Sequence, residues 1–172
     1  MGRLVPEFME RLERALAACE ADGVTMRVYC TDRSPSEQAR LWRQSRARAE
    51  IDAALRHLRD GGAPWLAEIL ASVGPQHGKP VTNALPGLSW HQWGLAADCF
   101  WEVDGRAVWS VGGHNNGYKV LAMRAKIEGL TPGGYWVQKD WPHVQGPPDN
   151  SGPDRTRTLA QINDEMKERW GG

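Results

Sequence analysis

Four residues in this chain have the types and spacing to do hydrolytic chemistry. His91 and Asp98 lie seven apart in Ser89-Trp90-His91-Gln92-Trp93-Gly94-Leu95-Ala96-Ala97-Asp98, and Asp140 and His143 lie three apart in Asp140-Trp141-Pro142-His143. Each pair alone is commonplace. A buried histidine bonded to a carboxylate, or an aspartate capping a turn, accounts for it equally well. Together the pairs supply two imidazoles and two carboxylates, the inventory of a catalytic zinc site with one carboxylate to spare. Zinc in such sites takes three protein ligands, leaves the fourth position to water and lowers the pKa of that water to about 7. A spare carboxylate can take the water's proton and hand it to a leaving amine. The other histidines offer less. His57 sits on a basic helix, and His77 and His114 lie in Gly- and Asn-rich loops, where a solvated imidazole is the default.

The elements around these residues must bring them together. Seven residues are two helical turns, so His91 and Asp98 can share a helix face, whereas on one straight strand they point to opposite faces. Gly94 and the β-rich run after Asp98 favour a bend near Gly94 that enters a strand at Ala96 or Ala97. Pro142 lacks an N–H and biases Trp141 towards extended geometry, which places Asp140 on a turn before an edge strand carrying His143. Upstream, Val5, Phe8, Leu12, Leu16 and Cys19 recur at helical spacing and stop at Asp22-Gly23. Val24 to Cys30 reads as a strand. Ser34-Pro35-Ser36-Glu37 has the form of a capping box with proline at the first helical position. The helix it opens carries Leu41 and Trp42, then Ile51, Leu55 and Leu58, before Gly61-Gly62. Pro64 starts a shorter one through Val73. Gly74 to Leu88 is a loop of about fifteen residues, long enough to suspect function. Cys99–Val103 and Ala107–Trp109 flank Asp104-Gly105, a hairpin signal. A helix near Tyr118–Glu128, a turn at Gly133-Gly134, a strand over Tyr135–Gln138 and a C-terminal helix through Leu159, Ile162, Met166 and Trp170 complete the chain. The pattern is α+β, a small central antiparallel sheet flanked by helices.

Bulk properties narrow the function. A chain of 172 residues suits a single domain, 1–172. The 21 basic residues balance the 21 acidic ones, so no global field recruits nucleic acid or an anionic membrane. The locally basic stretch from Arg40 to Arg59 reads first as a solvated helix face, and second as a contact for an anionic polymer. Cys19, Cys30 and Cys99 form no C-x-x-C pair, so a disulfide framework is not expected. No apolar run of about 18 residues predicts membrane insertion, and the charged N-terminus lacks the apolar core of a signal peptide. Synthesis as a soluble cytosolic chain, monomeric, is the expectation. Core packing is the default for Trp65, Trp109 and Trp170. Trp90, Trp93, Trp136 and Trp141 lie near the proposed ligands and are candidates to wall a cleft.

Ser89-x-His91-x-x-Gly94-x-Ala96-x-Asp98 resembles, position for position, the S-x-H-x-x-G-x-A-x-D motif of zinc peptidases that cut peptidoglycan peptides containing D-amino acids. These are the VanY-like D-Ala-D-Ala carboxypeptidases and dipeptidases and the phage L-alanyl-D-glutamate endolysins, whose fold the Hedgehog signalling domain shares. Asp140-x-x-His143 is similar to the family's acid-x-x-His signature. Tyr29-Cys30-Thr31-Asp32-Arg33-Ser34 with Glu37-Gln38 resembles its S-G-Y-R-S…E-Q segment, and Val81-Thr82-Asn83-Ala84 its V-T-x-A lead-in. The resemblance runs from about Val24 to Gln145, most of the chain, and the ten-residue motif is specific.

The resemblance implies a Hedgehog/DD-peptidase-like fold with His91, Asp98 and His143 on zinc, Asp140 as catalytic base and Arg33 on the developing oxyanion. It further implies Ser89 and Gln38 as substrate-binding or orienting groups. A turn serine and a helix-surface glutamine are the plainer alternatives for those two. Two departures stand out: Cys-Thr-Asp precedes Arg33 where the family often has Ser-Gly-Tyr, and the acid is Asp140 where the dipeptidase branch uses glutamate. Aspartate resembles the endolysin branch. A helical insertion around residues 46–76 is also implied. The expected activity is hydrolysis of peptidoglycan stem peptides at the L-Ala-D-Glu bond, in a phage or prophage enzyme that lyses bacteria by degrading the cell wall. A separate holin-type partner would release it to the wall of a Gram-negative host. The alternatives are D-Ala-D-Ala carboxypeptidase or dipeptidase activity, a non-catalytic zinc-containing binding module, and a metal-free lytic or adhesive protein.

Overall fold

Phe8, Leu12, Ala15 and Cys19 stack along one face of α1 (Pro6–Ala21), and that face is buried. In the computed structural model, which describes residues 4–112, 116–148 and 151–172, the chain forms two compact units. One comprises Met1–Asp32 and Trp93–Ser151, the other Arg33–Gln92 and Gly152–Gly172. His114 lies outside the described residues.

The first unit is built on an antiparallel sheet of β1 (Thr25–Cys30), β2 (Ala96–Val103), β3 (Arg106–Val108), β4 (Thr131–Pro132) and β5 (His143–Gln145). The order is β1-β2-β5-β4, with β3 also pairing β2. β1 occupies one edge of β2, while β5 and β3 share the other, opposite Ala96–Asp98 and Trp101–Val103 respectively. Ala97, Cys99, Met26 and Val144 turn to one face of the sheet, where they bury against α1 and against Tyr118, Leu121 and Ala125 of α5 (Gly117–Ile127). Each large apolar side chain buried in this layer contributes about 1.5–3 kcal/mol. The alternation of a strand then sends Ala96, Asp98 and Phe100 to the opposite face. Asp104 and Gly105, at φ 50° and 72°, make the tight β2–β3 turn that the Asp-Gly pair predicts.

The second unit is helical: α2 (Pro35–Arg43), α3 (Arg48–Asp60), α4 (Pro64–Ser72) and α6 (Leu159–Trp170). Ser34 and Glu37 form the expected capping box on α2. The side-chain oxygen of Asn163 on α6 accepts from the Trp65 and Leu66 N–H groups, satisfying donors that the first turn of α4 leaves unpaired.

Four expectations need correcting. The long helix after Ser34 is two helices, because the chain breaks at Ser45 (φ 53°), whose hydroxyl donates to the Gly78 carbonyl. Tyr135–Gln138 forms no strand. A 3-10 turn over Gly133–Tyr135 closes through Trp136 N–H to the Gly133 carbonyl, leaving Tyr135 and Val137 exposed. β5 is not an edge strand, since β2 and β4 flank it. Trp109 is 51% exposed, with its ring against Tyr29 and Phe100, so core packing does not describe it.

Candidate active site

The first unit carries three ligand-type side chains in one row. Asp98 is the register partner of His143 on β5 and of Cys30 on β1. Simple alternation from Met26 and Val28 would aim Cys30 at the helix-facing side. Between Val28 and Cys30, however, β1 advances two residues while β2 advances one, from Cys99 to Asp98. Such a bulge re-aims the side chain that follows it, and Cys30 joins the face of Asp98. The Cys30 and Asp98 ligand atoms lie within 4.8 Å of each other.

His143 Nδ1 is 3.1 Å from Asp98 Oδ1, and its Nε2 is 3.0 Å from Gln145 Oε1. Two donors on one tetrahedral zinc, each about 2.0–2.2 Å from it, stand about 3.4 Å apart. The Asp98–His143 spacing is close to that. Nε2–H donating to a side-chain oxygen is also how a metal-bound imidazole is usually held in its tautomer. The Asp98–His143 pair therefore fits a zinc ion. Trp136, one of the four tryptophans suspected of walling a cleft, lies against the His143 ring at 5.1 Å between centroids.

Asp140 sits in the turn before β5, as expected. Its N–H donates to the Gly133 carbonyl, and its own carbonyl accepts from His143 N–H. The turn thereby fixes the backbone of the acid relative to that of the histidine. A Cβ at Gly133 would come 2.4 Å from the Asp140 carbonyl oxygen, so the close approach requires glycine.

The second unit holds the other candidates. His91 is 2% exposed on a 3-10 turn over Trp90–Trp93, and Gly94 follows at φ 70°. The chain thus bends at Gly94 and enters β2 at Ala96, which excludes a continuous helix from His91 to Asp98. Gln92, fully buried, accepts from the Gly87 and Ser89 N–H groups and so ties the preceding loop to this turn. Ser89 is a turn residue, its carbonyl accepting from Gln92 N–H. Arg33 Nη1 donates to Gln38 Oε1 at 3.1 Å, and the Gln38 amide donates to Thr82 Oγ1 and the Ala84 carbonyl. Gln38 is therefore a buried clamp on Arg33, not a surface residue.

Sequence reasoning missed Gln145, Gln92 and the orientation of Cys30. Gln145 had a signal, being two residues beyond His143 and hence on the same strand face. The bulge at Cys30 had none.

Residues 2–126 match the VanY D-alanyl-D-alanine carboxypeptidase family, and the chain belongs to it. The matched region contains Arg33, His91 and Asp98, while Asp140 and His143 lie beyond its end. Among solved structures, the chain is similar to a vancomycin resistance D,D-pentapeptidase VanY from a VanB-type resistance cassette in complex with Zn(II). The two are 20% identical over 83% of this chain and 72% of that one, with a TM-score of 0.48. It is similar also to VanYB in complex with D-alanine-D-alanine, at 20% identity over 98% of this chain and 83% of that one, with a TM-score of 0.44. No match was found among curated proteins.

Proposed function

We propose that this protein is a zinc-dependent peptidase of peptidoglycan stem peptides, with His91, Asp98 and His143 as metal ligands. The Asp98–His143 pair, held 3.1 Å apart by the β2–β5 register, carries the reading. Membership of a D-alanyl-D-alanine carboxypeptidase family supports the terminal D-Ala-D-Ala bond as the substrate, over the L-Ala-D-Glu bond expected from the sequence. The resident zinc would supply a water acidic enough to deprotonate near neutral pH and a Lewis acid for the scissile carbonyl. Asp140, next to His143 in the same turn, takes the water's proton and returns it to the departing amine. Arg33, its guanidinium clamped by Gln38, binds the carbonyl oxygen as negative charge develops there. The cell wall is the place of action that this substrate implies.

Digestion of purified peptidoglycan tests the bond. Release of free D-alanine or D-Ala-D-Ala is expected. A newly exposed D-glutamate amine would instead support the L-Ala-D-Glu reading, which rests on aspartate rather than glutamate at position 140. Asp140→Ala is expected to keep zinc while hydrolysis falls by about 10²–10⁴-fold; unchanged hydrolysis would overturn the mechanism and favour a binding module.

A further inference from the structure

The row across β1, β2 and β5 holds one more ligand-type group than the peptidase reading uses. We propose that Cys30 is a further, thiolate ligand of the metal in this chain, an inference that rests on the proposed zinc site. Cys30 reaches this face only because of the bulge in β1, and it is the cross-strand partner of Asp98. Its sulfur and an Asp98 oxygen lie within 4.8 Å. A sulfur and an oxygen sharing a tetrahedral zinc stand about 3.5 Å apart, so a rotamer-scale adjustment closes the gap. The half-buried Cys30 also differs from Cys19 and Cys99, which are fully enclosed among apolar side chains of the helix-facing core.

A soft thiolate biases the site towards zinc and away from magnesium or manganese.

Cobalt(II) substitution of the full chain provides the test, because a thiolate ligand adds a strong near-ultraviolet charge-transfer band to the visible d–d bands. The wild type is expected to show that band. Cys30→Ser and Cys30→Ala are expected to lose it while keeping the d–d bands, and to bind zinc at least about tenfold more weakly. Far-ultraviolet circular dichroism of the metal-free variants checks that they fold, and the wild-type spectrum stands as evidence even if they do not. A wild-type cobalt protein with d–d bands but no charge-transfer band would overturn the thiolate ligand and leave the peptidase reading intact. Failure of the wild type to bind cobalt or zinc would overturn both.

Discussion

The imidazole of His143 stands between the oxygens of Asp98 and Gln145, so each ring nitrogen already has its direction before any ligand binds. That arrangement makes Gln145 a positioning residue. Gln145→Leu removes the acceptor for Nε2–H and is expected to weaken zinc binding by roughly 10–100-fold, read by competition with a chromophoric chelator. Retention of wild-type affinity would show that the ring is held by other contacts. The cysteines make a second residue-scale prediction. Burial pushes the Cys19 thiol up to about 11 and the Cys99 thiol up to about 12. Neither is a thiolate near neutral pH, and both are fully buried. Titration of the folded, metal-free protein with a thiol reagent is therefore expected to modify Cys30 alone, and Cys30→Ser to abolish that reaction.

At the scale of elements, two short structures do the positioning: the turn that joins Asp140 to β5 and the loop that Gln92 holds. Gly133 lets the first close. Gly133→Ala forces the Asp140 carbonyl aside, since the added Cβ would meet it at 2.4 Å. Hydrolysis is expected to fall by more than tenfold with far-ultraviolet dichroism unchanged, because a shift of about 1 Å in a catalytic group costs on the order of 10²-fold. The helical unit has its own weak point in Asn163, whose one oxygen accepts from two N–H groups of α4. Asn163→Ala leaves both donors without that partner and is expected to cost about 1–3 kcal/mol in urea unfolding.

For the whole molecule, the strongest expectation concerns metal. A chelator should stop hydrolysis of the wall substrate and added zinc should restore it, whereas a metal-free lytic protein would ignore both. Stability against acid has a separate origin. Asp22 beyond α1 accepts two hydrogen bonds from Arg124 on α5, and that guanidinium holds the Asp22 carboxyl below its ordinary range. A depressed pKa contributes stability above the unfolded value of about 3.9 and loses it as pH falls through the folded value. The melting temperatures of wild type and Asp22→Asn are thus expected to differ at neutral pH and to converge in strong acid.

How much was legible from the chain depended on the range of the forces involved. The capping box at Ser34 and Glu37, the Asp-Gly hairpin, the bend at Gly94 and the turn before His143 all arise from interactions within a few residues, and each formed where its residues predicted. The ten-residue motif around His91 pointed to the right family; the preference for the L-Ala-D-Glu bond came from Asp140, and the family match favours the D-Ala-D-Ala alternative instead. The break at Ser45 was not legible, because its partner Gly78 lies 33 residues away. Nor was the internal place of β5. It depends on the backbone hydrogen bonds of β2 and β4, which no local pattern specifies. Residue types and spacing were enough to nominate His91, Asp98, Asp140 and His143. Only the tertiary structure set Asp98 against His143 across 45 residues, supplied Gln145 as the partner of that histidine and turned Cys30 onto the same face. Strand register decides which side chains share a face, and register is set by pairing between strands and by a one-residue bulge, both invisible to a single strand read alone.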